Sequence, residues 1–152
     1  MKKAFIVTGT PATGKTMVAK LLAKKHHACY VDISALIAQH HIYASYDRSL
    51  QTYVVYIKKL VPFLIKLIRS SKQLLVLDSH LSHYLPRAYV RRCYVTTCSL
   101  PLLKRRLERR KYSMKKIREN LDAEILRVCY VEAVLQKHKV TLIDTSKGLK
   151  KI

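Results

Sequence analysis

Short runs of apolar residues alternate along the chain with longer segments whose apolar side chains recur every three or four positions. The runs predict strands, and the longer period predicts amphipathic helices. An alternation of strands and helices is typical of a parallel sheet covered by helices. We therefore expect an α/β fold whose single sheet has five strands, at residues 4–8, 29–32, 74–78, 89–96 and 140–144.

The helical segments lie between these strands, at residues 15–26, 34–39, 57–70, 99–110 and 117–135. The first helix should bury the face formed by Val18, Leu21, Leu22 and Lys25. The long last helix should bury the face formed by Ile117, Leu121, Ile125, Val128, Val131 and Leu135. Proline suits a first turn better than a helix interior, so the third helix should restart at Pro62. Residues 40–55 have no clear period and predict an irregular segment.

The length of the chain, 152 residues, is that of one ordinary domain, and no linker, repeat or low-complexity segment divides it. Residues 1–152 are therefore expected to form a single domain. The four cysteines have neither C-x-x-C pairing nor metal-ligand spacing, which favours reduced thiols in a cytoplasmic protein. The longest apolar stretch, residues 60–68, is interrupted by lysine and too short to span a bilayer, so no membrane partner is expected.

The charge balance is strongly basic, with 30 Lys and Arg residues against nine Asp and Glu residues and a formal net charge of +21. A nucleoside triphosphate needs only a few of these positive charges. The excess favours a polyanionic partner, above all RNA or a ribonucleoprotein. A solvated basic surface or a basic proteome background is the alternative explanation.

The first predicted strand leads into T-G-T-P-A-T-G-K-T at residues 8–16, which matches the phosphate-binding pattern G-x-x-x-x-G-K-[ST]. Glycines let backbone N–H groups approach phosphate oxygens, and the N-terminus of the following helix adds a partial positive charge. Lys15 can reach the β- and γ-phosphates, and the Thr16 hydroxyl can bind Mg²⁺. The motif predicts a nucleotide phosphate without fixing the reaction.

Asp78 ends the apolar strand in the sequence D-S-H. A carboxylate at the tip of a neighbouring parallel strand lies beside the phosphate loop, where it can hold Mg²⁺ directly or through water. The alternative is a cap on the strand end. His80 could orient a water molecule or contact a phosphate, although a lone histidine is often structural.

Residues 104–118 hold nine basic side chains and one acid, Glu108. Arg106 and Arg110 are four positions apart, so both project from the same side of a helix. Arginines over the phosphates would cancel the charge of a moving phosphoryl group. The alternative is a solvated or RNA-binding face, and the two interpretations are compatible because nine charges exceed what one nucleotide can use.

The order of the phosphate loop, D-S-H and the segment R-R-L-E-R-R-K-Y-S-M-K-K-I-R-E-N-L-D-A-E-I-L resembles the adenylate kinase isoenzyme 6 family. The likeness spans nearly the whole chain, including Y-V-D at 30–32, I-Y-A-S-Y-D at 42–47 and L-I-D-T-S-K at 142–147. That family comprises small adenylate kinase-like ATPases involved in maturation of the small ribosomal subunit. The likeness implies a P-loop NTPase fold, a nucleoside-monophosphate segment around 32–55 and a lid near 109–119.

The resemblance also implies roles for single residues. By position, the ATP phosphates would be held by Ala12, Gly14, Lys15, Thr16 and Met17. Arg110 would be the lid arginine on ATP, with Arg106 beside it, and Lys147 would contact the ATP base. Asp78 and His80 match the family's Walker B acid and histidine, which are implicated in Mg²⁺ and phosphate handling.

The chain departs from the family pattern at three positions. Ala38 stands where members often have an arginine in the monophosphate segment, which removes one contact with an AMP phosphate. Met17 replaces a common second hydroxyl after Thr16, which removes a possible phosphate contact. Lys111 replaces the usual glycine after the lid arginine, which makes the lid more basic and less flexible.

The expected function is ATP-dependent and Mg²⁺-dependent phosphoryl transfer to AMP, giving two ADP, with ATPase activity and a link to small ribosomal subunit maturation. The alternative is a ribosome-assembly ATPase with little or no AMP kinase activity, whose partner is rRNA or a small-subunit ribosomal protein. The charge and Ala38 favour the alternative, and the arginine-rich lid favours the kinase. The same loop and lid would also suit a kinase of another small metabolite.

Overall fold

Strands and helices alternate in the computed structural model, which describes residues 1–149 and 152. The strands are β1 (Ala4–Gly9), β2 (Cys29–Asp32), β3 (Tyr43–Asp47), β4 (Thr52–Val55), β5 (Leu75–Asp78), β6 (Val90–Thr97) and β7 (Val140–Asp144). The helices are α1 (Lys15–Lys25), α2 (Ile33–Gln39), α3 (Ile57–Ser70), α4 (Leu100–Arg109), α5 (Met114–Ile125) and α6 (Val128–Leu135). Within the described residues, no helix has the length and apolar character needed to cross a membrane.

Five parallel strands form the central sheet in the order β2-β5-β1-β6-β7. This arrangement confirms the predicted five-stranded parallel sheet. The register aligns Asp32 with Asp78 and Val7 with Asp78, so the carboxyl ends of three strands meet at one edge. Ligands bind at that edge in open α/β sheets, because loops and helix N-termini converge there.

The core lies on both faces of the sheet because successive strand residues point to opposite sides. Ile6 and Leu77 pack with α2, α3 and α6, whereas Phe5 and Val7 pack against α1. A third apolar cluster joins the β1–α1 loop to α4 and α5 through Ala12, Cys98, Leu103, Leu107 and Ile117. The helix that carries the predicted arginines is thus packed directly onto the predicted phosphate loop.

Helix α1 buries only two of the four residues of the predicted face, Val18 and Leu22. Its buried residues are Val18, Ala19, Leu22 and Ala23, whereas Leu21 and Lys25 are exposed. The prediction was wrong because it counted large apolar side chains, while the two alanines let the helix approach the sheet closely.

The predicted long helix at 117–135 is two helices, α5 and α6, separated by Arg127 in a left-handed conformation with φ 51°. The break rotates α6, so Ala133 is buried against the sheet. Ile125, Val131 and Leu135 are exposed, so the predicted common face was wrong. Residue counting alone cannot reveal such a break, because arginine is an ordinary helix former.

Helix α3 runs without interruption through Pro62, so the predicted restart was wrong. Proline at this position removes only the hydrogen bond to the carbonyl of Lys58, which lies in the exposed first turn where water can replace the lost donor. Leu60, Leu64 and Ile68 form the buried face of this helix.

Residues 40–55 contain an antiparallel hairpin, β3–β4, rather than an irregular segment. Its strands escaped prediction because both faces carry tyrosines and small residues, with Tyr46 opposite Tyr53 and both rings exposed. The connecting turn is stabilised by Asp47, whose carboxylate accepts hydrogen bonds from the N–H groups of Ser49 and Leu50. Such Asx turns need no glycine.

We predict that Gly9→Ala destabilises the fold more than Gly148→Ala. Both glycines have positive φ, and a left-handed backbone costs a side chain about 1–2 kcal/mol. A Cβ on Gly9 would also lie 2.7 Å from the Thr96 carbonyl oxygen, whereas one on Gly148 meets nothing within 4 Å. Overpacking adds about 1–3 kcal/mol. Urea unfolding measures both variants, and equal losses would contradict the close packing at Gly9.

Candidate functional site

The loop at residues 10–14 joins β1 to α1 at the carboxyl edge of the sheet. It reverses direction at Ala12 (φ 69°) and Gly14 (φ 93°), both in the left-handed region. A Cβ on Gly14 would lie 3.1 Å from the Thr145 side chain, so that position has little room for a larger residue. The first N–H groups of α1 have no partner within the helix and face this loop, which makes the turn suited to an anion.

Lys15 is the first residue of α1, and its Nζ turns back to the loop and donates a hydrogen bond to the Thr10 carbonyl oxygen at 3.1 Å. The pKa of Lys15 is lowered to about 8, mainly by burial; the charges of Cys129 and Asp78 oppose this shift, and the charge of Arg110 contributes to it. A phosphate beside this ammonium would restore its ordinary pKa, because an adjacent opposite charge favours the protonated form.

Asp78 is buried at the end of β5, and its Oδ2 accepts hydrogen bonds from the Thr16 hydroxyl at 2.8 Å and the Tyr30 hydroxyl at 2.9 Å. Burial, and then the bond to Asp78, raise the pKa of Tyr30 to about 12. The described residues contain no group of three His, Cys, Asp or Glu side chains with metal-binding geometry. The donor set of Thr16 and Asp78 fits Mg²⁺, which uses one or two protein oxygens and completes its shell with water and phosphate.

One open cavity of about 630 Å³ brings together most of the predicted site residues. Its lining includes Ala12, Gly14, Lys15, Thr16, Met17, Asp78, His80 and Arg110. We define the hairpin wall as the lining residues contributed by the end of β2, α2, the hairpin, the segment after β5, and α6. These are Asp32, Ser34, Leu50, Thr52, Ser79, His80, Leu81, Tyr84, Val128, Cys129 and Glu132.

His80 lines the cavity two residues after Asp78. Burial and the nearby charge of Lys15 lower its pKa to about 4. The imidazole is therefore neutral near pH 7, with one nitrogen able to donate a hydrogen bond and the other able to accept one.

Arg110 follows the last turn of α4 and reaches the cavity. Its guanidinium donates a hydrogen bond to the Tyr112 hydroxyl at 3.3 Å and lies over the Tyr112 ring. The intervening Lys111 has φ 56°, the conformation that glycine adopts most easily. The chain thus turns back at Lys111 and directs Arg110 toward the loop side of the cavity.

Arg106 does not line the cavity. Its guanidinium donates hydrogen bonds to the Ala12 carbonyl oxygen (3.2 Å), to the Thr145 hydroxyl (3.1 Å) and to the Thr145 carbonyl oxygen (3.3 Å). These bonds tie α4 to the phosphate loop and to the segment after β7. Direct action of Arg106 on a phosphate, which the sequence predicts, stays a prediction.

Lys147 also lies outside the main cavity. It lines a second depression beside β7, together with Tyr94 and Asp144. The predicted contact of Lys147 with a nucleotide base stays a prediction.

The α4–α5 turn and the hairpin contact each other directly, which the sequence did not suggest. The N–H of Ser113 donates to the Gln51 side-chain oxygen at 2.9 Å, and the Lys116 ammonium donates to the Gln51 carbonyl at 2.9 Å. The Ser113 hydroxyl and the Lys115 ammonium donate to Ser49 at 3.2 and 3.1 Å. Long polar side chains of this kind leave no periodic signal from which a contact could be predicted.

A buried histidine and a carboxylate of the cavity also escaped prediction. His83 Nε2 lies 2.6 Å from Glu132 Oε2, and the Tyr84 hydroxyl donates to the same oxygen at 3.2 Å. The small number of acidic residues could have indicated Glu132, because the sequence has only nine Asp and Glu residues. Four of them line the cavity: Asp32, Asp78, Glu119 and Glu132.

Comparison with known proteins agrees with this geometry. Residues 6–127 match the family described as AAA domain. A protein named "Putative adenylate kinase" from Methanocaldococcus jannaschii is 36% identical over 140 residues, which cover 92% of this chain and 75% of that protein. The adenylate kinase isoenzyme 6 homolog of Dictyostelium discoideum is 30% identical over 133 residues, covering 87% and 74%. The chain belongs to this adenylate kinase-like family.

The solved structures support the same class of fold. A gluconokinase from Sinorhizobium meliloti 1021 superposes with a TM-score of 0.55 at 13% identity, covering 96% of this chain and 84% of that one. Taken with the family match, the chain is a kinase-like phosphotransferase with a P-loop fold.

We predict that Arg106→Ala destabilises the protein by about 2 kcal/mol, because bonds from a charged group to the loop are lost. Arg105→Ala, an exposed neighbour on the same helix, should change stability by less than about 0.5 kcal/mol. Urea unfolding compares the two variants. A large loss of phosphoryl transfer in Arg106→Ala at unchanged stability would instead favour direct action on the phosphates.

Proposed function

We propose that the chain is an ATP-dependent adenylate kinase that transfers the γ-phosphoryl group of ATP to AMP, giving two ADP, and to water when AMP is absent. One observation supports this proposal above all: Lys15 and the hydrogen-bonded pair Thr16 and Asp78 line the same cavity of about 630 Å³. A cavity of that size has room for a nucleotide and for a second group beside its terminal phosphate. The names of the curated relatives support AMP as the acceptor.

On the donor side, the loop residues Ala12, Gly14, Lys15, Thr16 and Met17 would hold the ATP phosphates. The ammonium of Lys15 would bridge the β- and γ-phosphates. Thr16 and Asp78 would bind Mg²⁺, which when present neutralises phosphate charge. His80 would hydrogen-bond a phosphate oxygen or a water molecule through its neutral ring, and Lys147 would contact the base.

Arg110 would act on the transferred phosphoryl group. Its guanidinium faces the same cavity as Lys15, and the effect of its charge on the pKa of Lys15 supports their proximity. Charge neutralisation of the moving group is the main need of phosphoryl transfer, which involves little covalent chemistry by the protein. Arg106 would support this arrangement by holding the loop.

Purified protein is expected to form ADP from ATP and AMP in the presence of Mg²⁺, and Lys15→Ala should abolish this activity. Lys24→Ala, an exposed lysine on the same helix, should keep it. Arg110→Ala should lower kcat more than it raises KM for ATP, if the guanidinium acts mainly in the transition state. Coupled measurement of ADP formation checks all three variants. ATP consumption that AMP does not stimulate would exclude the adenylate kinase function.

A second candidate function is an ATPase of small ribosomal subunit maturation with little AMP kinase activity. One observation favours it: the hairpin wall contains no lysine or arginine, and Lys116, which lines the cavity beside it, donates to the Gln51 carbonyl. Ala38 is exposed on α2 and is not part of the cavity lining. The net charge of +21 supports rRNA or an acidic surface of a ribosomal particle as the partner.

If the basic surface binds rRNA, affinity for an rRNA fragment should fall steeply with salt, with a log–log slope of several units. Fluorescence anisotropy over a range of KCl concentrations gives this slope. An uncharged peptide-backbone oligomer of the same base sequence is the control and should not bind. A salt-independent affinity would remove the electrostatic argument for an RNA partner.

A further inference from the structure

A buried histidine and a carboxylate form a chain of hydrogen bonds that leads from the start of the phosphate loop to the cavity. Thr8 precedes Gly9, and its hydroxyl lies 2.8 Å from Nδ1 of His83. Nε2 of His83 lies 2.6 Å from Glu132 Oε2. His83 is 1% exposed and Glu132 is 35% exposed, so the chain runs from the core to the cavity.

The chemistry of the three groups fixes the direction of these bonds. An ionised carboxylate only accepts, so Nε2 of His83 donates to Glu132 and Nδ1 accepts from the Thr8 hydroxyl. A neutral imidazole satisfies both bonds. This agrees with the pKa of His83, which burial lowers although Glu132 opposes the shift.

The two hydrogen bonds on Glu132 leave one carboxylate oxygen free. Oε2 accepts from His83 and from the Tyr84 hydroxyl, whereas Oε1 has no hydrogen-bond partner among residues 1–149 and 152. A carboxylate held at one oxygen by two donors has a fixed orientation. Because Glu132 lines the cavity, its second oxygen is available to a molecule inside it.

Glu132 and Lys15 line the same cavity. His83 connects Glu132 by hydrogen bonds to Thr8, which stands just before the phosphate loop. Cys129 precedes Glu132 by three residues on α6, so the two side chains are neighbours on one helix face. Cys129 lines the same cavity; burial raises the pKa of its thiol, and the charge of Lys15 opposes this shift. A phosphoryl group held by Lys15 would therefore lie in the same cavity as the free oxygen of Glu132.

We propose that Glu132 accepts a proton from the water molecule that attacks the γ-phosphoryl group of ATP; this rests on the proposed ATP phosphoryl transfer. The water oxygen forms a bond to Pγ while the bond between Pγ and the β,γ-bridging oxygen breaks. ADP leaves with that electron pair, and the proton of the water goes to Oε1 of Glu132. The products are ADP and inorganic phosphate, and the proton then passes to solvent through the open cavity.

The role of Glu132 is specific to hydrolysis. Water is a weak nucleophile that must lose a proton, and a positioned base assists this loss. The phosphate of AMP is already ionised at neutral pH and needs no base. The two reactions of the cavity should therefore differ in their dependence on this carboxylate.

The test compares two rates in each variant at saturating Mg²⁺ and ATP: phosphate release without AMP, and ADP formation at saturating AMP. Glu132→Gln keeps an oxygen that accepts from His83 and Tyr84, so its fold should be preserved. Removing a general base lowers a rate by about 10²–10⁴-fold. We therefore expect phosphate release to fall by about 100-fold. The rate of ADP formation and the KM for ATP should each change by less than about threefold, which is less than the loss of a general base causes.

Glu108→Gln is the matched control, because Glu108 is exposed on α4 and has no side-chain hydrogen bond in the described part of the chain. It should change neither rate. Tyr84→Phe removes one of the two donors to Oε2 and should lower phosphate release alone, by less than Glu132→Gln does. Thermal unfolding verifies that all variants are folded.

Three results would overturn the proposal: equal loss of both rates in Glu132→Gln, no loss of phosphate release, or a wild-type protein that releases no phosphate without AMP. The same experiment tests the adenylate kinase function separately from the role of Glu132. If AMP yields no ADP while Glu132→Gln still abolishes phosphate release, the role of Glu132 stands and AMP is not the acceptor.

Discussion

The site depends on close packing of the phosphate loop against the ends of β6 and β7. Gly9 approaches Thr96 and Gly14 approaches Thr145 so closely that neither glycine has room for a side chain without rearrangement. Arg106 completes the contact by joining the Ala12 carbonyl to Thr145. The loop is therefore held in an anion-binding shape by residues that lie 88 to 132 positions further along the chain, in β6, in α4 and after β7.

Strands β1 and β5 could be predicted because they are buried along their whole length and form continuous apolar runs. The edge strands β2 and β7 are partly exposed, and their prediction relied on the alternation of short β-rich runs with helical segments. The same reasoning located Asp78, since a carboxyl-terminal residue of a parallel strand must lie at the binding edge. The hairpin was not predictable in this way, because tyrosine has both an apolar ring and a polar hydroxyl, and because the middle of each strand is exposed while only the ends are half-buried. The break at Arg127 depends on the packing of α6 against the sheet, so it could not be predicted from the helix propensity of arginine.

The placement of a site residue was predictable where a local motif fixes it and not where a distant partner holds the side chain. Lys15 and Thr16 follow from a local motif, and both line the cavity. Arg106 has the helical spacing of a phosphate ligand, but three oxygen atoms from two other segments hold its guanidinium. Glu132 belongs to no local sequence motif and could not be predicted, because the residue that orients it, His83, is 49 positions away.

The contact between the α4–α5 turn and the hairpin makes two segments of the cavity rim energetically dependent on each other. Four hydrogen bonds join Ser113, Lys115 and Lys116 to the turn at Ser49 and Gln51. A ligand that stabilises the bonded arrangement through one segment necessarily favours binding at the other, and by thermodynamic reciprocity the second ligand helps the first by the same factor. The rim can thus couple the binding of two ligands in one cavity even if the ligands do not contact each other.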